Sequence, residues 1–291
     1  VQPTPAESLE IRTLLQSLCG VSLADDKAYL LSTRLANPLR IRGLTSFTDY
    51  LAQLRQPANQ ALRDELIDCL TTAETSFFRD ASLYGVLRQM LLPWLADLLY
   101  RRSLTAVTPP VVRLWSAGCS TGQEPYSLAI AIAEFLRGQA APHPRQFSLV
   151  ATDISRRVLT IAQRGVYSQR ELERGLTAAQ RERFFRHCGE DWEISPELKR
   201  AVEFRLANLL DPSGPAGPFD LIFCRNVLIY FDPATRVRIC ERFYRALNPG
   251  GILVLGSAES LFGVTDLFTT APGEELPIYR RPDPETDGPA V

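Results

Sequence analysis

Histidine is nearly missing from this sequence: 291 residues contain His143 and His187 and a single methionine. The six cysteines, at 19, 69, 119, 188, 224 and 240, form no C-x-x-C pair and lie at least sixteen positions apart. Zinc-site spacing is therefore absent, and no metal is expected. Several cysteines sit in apolar runs, as in Phe223-Cys224, and read as buried free thiols. No apolar stretch is long enough to span a bilayer: Met90–Leu99 is broken by Pro93 and Asp97, and Ile252–Leu255 is short. Val1-Gln2-Pro3-Thr4-Pro5 lacks a basic-then-apolar leader, so a cytoplasmic location without membrane insertion is the expectation. A net charge of −1 gives no global attraction to nucleic acid, and no such partner is expected.

What is present is an ordinary globular composition, 45% apolar and 22% charged, on a chain long enough for two modest domains. The charge is unevenly spread. Lys27 to Arg63 holds six basic residues against Asp49, and Arg156 to Arg186 holds eight arginines against Glu171, Glu173 and Glu182. Each run nets +5. They read either as solvated helical faces or as docking surfaces for an acidic partner.

Residues 7–102 carry helical periodicity, as in Leu9, Leu14, Leu15, Leu18 and in Leu62, Leu66, Ile67, Leu70. Gly20 and Gly43 mark stops, Ser46 and Thr72 offer caps, and Leu83 to Leu91 opens a long apolar helix. An all-α module of four or five helices is expected. After Thr108-Pro109-Pro110 the pattern changes to short apolar runs at Val111–Trp115, Phe147–Thr152, Phe219–Cys224 and Ile252–Leu255, with Leu276–Arg280 weaker. Helical stretches at Tyr126–Leu136, Ser155–Arg164 and Pro233–Leu247 alternate with them. Buried strands alternating with helices predict an α/β sheet with right-handed crossovers over 103–281. Residues 165–207, rich in charge and ending in Asp191–Ile194 and Val202–Leu206, read as a small β insertion at its edge. Pro282–Val291 reads as a disordered tail.

The most informative stretch is VRLWSAGCSTGQEPYSLAI, Val112 to Ile130, a strand running through a loop with Gly118 and Gly122 into a helix. Small residues let a ligand approach the backbone, and the helix start offers free N–H groups. The spacing is neither the dinucleotide G-x-G-x-x-G nor a phosphate loop, which argues against a nicotinamide oxidoreductase. The next strand ends in Asp153, where a ribose diol would find a bidentate acceptor; capping the following helix is the other role open to it, and Ser155 offers the same. Together they point to an adenosine-type ligand without pyrophosphate. S-adenosylmethionine fits.

WSAGCSTGQEPYS, ATDIS, FDLIFCRNVLIYFD and the helical TTAETSFFRD resemble the chemotaxis receptor methyltransferases, the CheR family, from about Ile11 to Arg280. The resemblance implies an all-α domain, a class I (Rossmann-like) methyltransferase sheet and a small inserted antiparallel β-subdomain. It implies a monomeric S-adenosylmethionine-dependent protein-glutamate O-methyltransferase acting on chemoreceptor helices, with S-adenosylhomocysteine as product. It nominates Thr75, Arg79, Glu124, Asp153, Asn208, Leu209, Arg225 and Asn226 as cofactor contacts. Ala73 stands where the family pattern has Asn, leaving one cofactor hydrogen bond to water or backbone. A receptor of a related surface-sensing or developmental pathway, or a non-catalytic cofactor-binding regulator, remains open.

A glutamate carboxylate is ionised at neutral pH, so such an enzyme needs alignment and an orienting charge rather than a general base. Arg79 or Arg225 offers the charge, and Tyr230 either orients the carboxylate or packs. Phe77, Phe78, Trp94 and Trp115 read as core. Arg34, Arg40 and Arg42 centre the basic run expected to meet the acidic receptor bundle. Some family members grip a receptor's carboxyl-terminal pentapeptide through a glycine-containing extension in the β-subdomain. Here Gly189-Glu190-Asp191 allows a tight turn only, and no tethering is expected.

Overall fold

The computed structural model describes residues 2–24, 29–271 and 276–284. Lys27 and most of the tail, 285–291, lie outside the described residues. Helices α1 (Pro5–Cys19), α2 (Tyr29–Ile41), α3 (Phe47–Leu54) and α4 (Gln60–Leu70) form the amino-terminal module. Thr4 closes a capping box on α1, and Gly20 ends it in the left-handed region (φ 76°). Ser46 caps α3 through its side chain. The apolar stripes converge on a core of their own, containing Ile11, Leu15, Leu35, Phe47, Tyr50 and Leu66.

The long apolar stretch after it behaves differently. Helix α5 (Ala81–Val86), a π-helical turn at Leu87–Leu91 and α6 (Leu92–Ser103) run on continuously. Leu83, Leu87, Leu91, Leu95 and Leu99 pack with Leu114, Leu149 and Ile252 of the sheet rather than with α1–α4. Periodicity had grouped this helix with the helical module, yet periodicity reports only that a face is buried, not against what. Thr72 caps nothing, because the chain stays irregular until Ala81.

The remaining strands are β1 (Val112–Ala117), β2 (Phe147–Asp153), β3 (Val166–Tyr167), β4 (Phe185–Cys188), β5 (Asp191–Ile194), β6 (Val202–Leu206), β7 (Phe219–Cys224), β8 (Leu247–Leu255), β9 (Thr269–Thr270) and β10 (Ile278–Arg280). Between them run α7 (Gln123–Phe135), α8 (Arg156–Arg164), α9 (Gln169–Glu173), α10 (Ala178–Phe184), α11 (Pro196–Ala201) and α12 (Pro233–Ala246). Among the described residues the main sheet has seven strands, in the order β6-β2-β1-β7-β8-β10-β9. Its first five are mutually parallel, and β10 and β9 close it antiparallel.

Val202–Leu206, placed in the insertion from the sequence, is instead the edge strand of this sheet, in register with Leu149–Asp153. The insertion's own sheet is antiparallel and three-stranded, β3-β5-β4. Its β4–β5 hairpin pairs Cys188 with Asp191, so the turn is two residues, with Gly189 at φ 66°. All six cysteines are free; Cys188 is exposed and Cys69 half-buried, so the expectation of burial holds for the other four. Trp115 is fully buried, and Phe77 and Phe78 are core residues as expected. No helix is long and apolar enough to cross a membrane, among the described residues.

Candidate functional site

Chain order departs in opposite directions from β1, with β2 on one side and β7 on the other, so a crevice opens at their carboxyl ends. The amino-terminal module and the 71–79 linker roof it, leaving a cavity of about 470 Å³, ample for a nucleoside-sized ligand. Thr75, Arg79, Glu124, Asp153, Asn208, Leu209, Arg225, Asn226 and Tyr230 all line it. Ala73 does not, but its carbonyl accepts from Ser120 Oγ at 3.0 Å, which ties the linker to the glycine loop.

Asp153 accepts from the Ser120 amide at 2.9 Å and the Ser155 amide at 3.0 Å. The helix-capping duty belongs to Ser155, whose Oγ accepts from Val158. Burial raises the Asp153 pKa, and the two amides only partly offset it. Glu124 is a first-turn acid of α7, yet it does more than meet the helix dipole. It accepts from Ser116 Oγ at 2.7 Å and from Arg225 at 3.2 Å, and burial likewise pushes its pKa up.

Arg225, with its side chain almost fully buried, also donates to the Arg79 carbonyl at 2.8 Å and pairs with Asp80. One strand-end guanidinium thereby latches the linker to the sheet. Arg79 itself donates to the Glu74 carbonyl at 3.3 Å and leaves Asp80 to Arg225. The Arg225 Nε is buried without a hydrogen-bond partner among the described residues. Asn208 is a strut: its amide donates to the Leu18 carbonyl of α1 at 2.9 Å, and Leu209 beside it packs in the sheet core.

The segment Asn226–Phe231 owes its shape to Glu259, which sequence reading missed. This buried carboxylate accepts from the amides of Asn226 (2.7 Å), Val227 (3.0 Å), Ile229 (3.3 Å) and Gly256 (2.8 Å). An acid four residues beyond a buried strand, in GSAES, was the available signal. Tyr230 follows, its carbonyl taking the Ser22 amide at 2.8 Å. Among the described residues the four non-glycine positions with left-handed φ are Phe78, Asp80, Ser120 and Asn226. All four sit in loops around the cleft, the expected place for backbone strain.

The basic run is less of a patch than its count implies. Arg42 pairs with Glu65, Arg55 with Glu10, and Arg63 donates to the carbonyls of Leu54, Gln56 and Pro57. Arg34 does not reach the exposed face. It is half-buried, donates to the Leu70 carbonyl at 3.1 Å, and lines the cleft instead. Arg40 is exposed and, among the described residues, bonds only its neighbour Asn37.

A nucleoside cofactor carrying a cationic centre, an amino group and a carboxylate fits the polar groups of this cleft. Buried Glu124, half-buried Asp153 and the partly exposed guanidinium groups of Arg34 and Arg79 face a single cavity, and no phosphate-binding turn is present among the described residues. Fold and site together define an S-adenosylmethionine-dependent methyltransferase. Residues 73–276 match the family model described as CheR methyltransferase, SAM binding domain, and residues 6–71 match CheR methyltransferase, all-alpha domain. The chain is 38% identical over 263 residues to a chemotaxis protein methyltransferase of Vibrio anguillarum, covering 90% of this chain and 92% of the relative. It is 38% identical over 270 residues to chemotaxis protein methyltransferase 1 of Pseudomonas aeruginosa (92% and 95%), and 40% over 264 residues to that organism's chemotaxis protein methyltransferase 2 (89% and 88%). The chain belongs to the CheR methyltransferase family, and it is a methyltransferase of chemotaxis that uses S-adenosylmethionine.

Proposed function

We propose that the chain methylates glutamate side chains on the cytoplasmic helices of chemoreceptors, forming glutamyl methyl esters for sensory adaptation. One observation carries the choice of acceptor. No histidine lines the cavity, and the thiol nearest to serving as a base, Cys19, is pushed up to about 11 by burial. Such a site suits an acceptor that arrives already ionised, and glutamate, with a reference pKa of about 4.3, does so.

When bound, S-adenosylmethionine supplies an electrophilic methyl group. The chain's residues have only to bind, orient and exclude water. Asp153 takes the ribose diol, Asn208 and Leu209 flank the adenine, and Thr75, Glu124 and Asn226 hold the amino-acid end. Arg225 has its charge matched by Glu124 and Asp80, so the orienting charge for the incoming carboxylate falls to Arg79, with Tyr230 lining the same cavity. Arg40 and Arg42 meet the acidic receptor bundle. The two-residue hairpin turn in the insertion leaves the subdomain to dock the receptor body without gripping a tail peptide. The enzyme works as a cytoplasmic monomer.

Transfer of labelled methyl groups to purified chemoreceptor cytoplasmic domains tests the reading. Label that is released by mild alkali, as an ester is, supports it; label stable to alkali, or none, contradicts it.

A further inference from the structure

The β insertion packs behind two walls of the cleft, the glycine loop and the linker. Tyr167 of β3 is buried and donates from its hydroxyl to the Thr121 carbonyl at 2.8 Å, inside the glycine loop. The next loop residue, Gly122, has φ 96°, and a Cβ there would lie 2.9 Å from that hydroxyl. The same Tyr167 ring meets Phe77 edge-on at 5.1 Å, and Phe185 of β4 meets Phe77 at 5.6 Å. Phe77 lies in the linker between Thr75 and Arg79. In the turn between α9 and α10, Gly175 lies so close to this linker that a Cβ would stand 1.8 Å from the Phe77 carbonyl oxygen. That neighbour is backbone and cannot swing aside.

We infer that Tyr167 and Gly175 are positioning residues for the cofactor: the insertion sets the glycine loop and the Thr75–Arg79 linker at their binding separation. This rests on the reading of the cleft as the S-adenosylmethionine site. The alternative is that the insertion is a docking module whose contacts with the loops serve packing alone.

Tyr126 separates the two. It sits in the same aromatic cluster, 6.3 Å from Tyr167, but its hydroxyl donates to the Ala162 carbonyl of α8 rather than to a group of either loop. Tyr167→Phe and Tyr126→Phe each delete one buried hydroxyl and keep the ring. Calorimetric titration with S-adenosylhomocysteine, with thermal unfolding of the cofactor-free proteins alongside, is the test. Both variants are expected to lower Tm, while only Tyr167→Phe weakens binding, by about three- to tenfold, the worth of one hydrogen bond. Gly175→Ala, which must displace the linker backbone, is expected to weaken binding more than Tyr167→Phe. Should it fail to fold, the tyrosine pair decides alone. Equal dissociation constants for Tyr167→Phe, Tyr126→Phe and the parent overturn the inference. A parent that does not bind S-adenosylhomocysteine overturns instead the reading on which it rests.

Discussion

On the sheet side of the cleft, Glu124, Asp153, Arg225 and Glu259 are each buried or partly buried and held by two or more bonds within the chain. On the linker side, Thr72 and Glu74 are exposed, and Thr75 and Arg79 are half-exposed. The linker keeps its place through backbone groups instead: the Ala73 carbonyl on Ser120, the Phe77 carbonyl against Gly175, and the Arg79 carbonyl on Arg225. One wall is prebuilt with its chemistry fixed. The other presents more exposed side chains on a strip held from behind, as the proposed entry of both cofactor and acceptor requires.

The sharpest way to break this contrast is to remove the group that joins the walls. Arg225→Met leaves Glu124 and Asp80 without their cation. Stranding buried charge in this way costs about 3–5 kcal/mol, read as a loss of unfolding free energy in denaturant titration. An unfolding free energy within ~1 kcal/mol of the parent would mean the latch contributes nothing.

Acidity probes the prebuilt wall alone. Burial holds the Asp153 and Glu124 pKa values above their ordinary 3.8 and 4.5, and the ionised forms are the proposed acceptors of the cofactor. S-adenosylhomocysteine affinity is therefore expected to decline on acidification at a pH above the ordinary carboxylate range, by at most about tenfold per pH unit for each group. In the cofactor-free protein the sign reverses. The folded state keeps these two protons to higher pH than the unfolded chain, so their contribution to stability is complete at acid pH and is lost as pH rises through the folded values. An affinity flat from pH 7 to the ordinary carboxylate range would contradict the assignment.

The smallest effect is expected on the helical module. Reversing charge with Arg40→Glu and Arg42→Glu is expected to slow receptor methylation a few-fold and flatten its salt dependence, leaving cofactor affinity alone. Arg42 already pairs with Glu65, so Arg40→Glu carries the larger share. Methylation rates equal to the parent's across a salt series would remove this face from docking.

Legibility in the sequence divides along the same line. Phe219–Cys224 was readable to the residue, and Asp153 could be placed at a strand end, because both follow from local pattern. Val202–Leu206 was misplaced because its partner, β2, lies far upstream across the whole insertion. Arg34 was assigned to an exposed face because its spacing in α2 is visible, whereas the Leu70 carbonyl that captures it is not. Gly175 gave no sign at all. Its need for glycine arises from a backbone oxygen almost a hundred residues away, at Phe77.

The central claim, that the cleft between these walls is the cofactor site and Asp153 its ribose acceptor, is tested most directly by calorimetry. Parent and Asp153→Ala are titrated with S-adenosylhomocysteine at neutral pH. The parent is expected to bind one equivalent, and the variant to lose about 1.5–3 kcal/mol of affinity, as for hydrogen bonds to a charged group. Parent-like binding by Asp153→Ala would contradict the account.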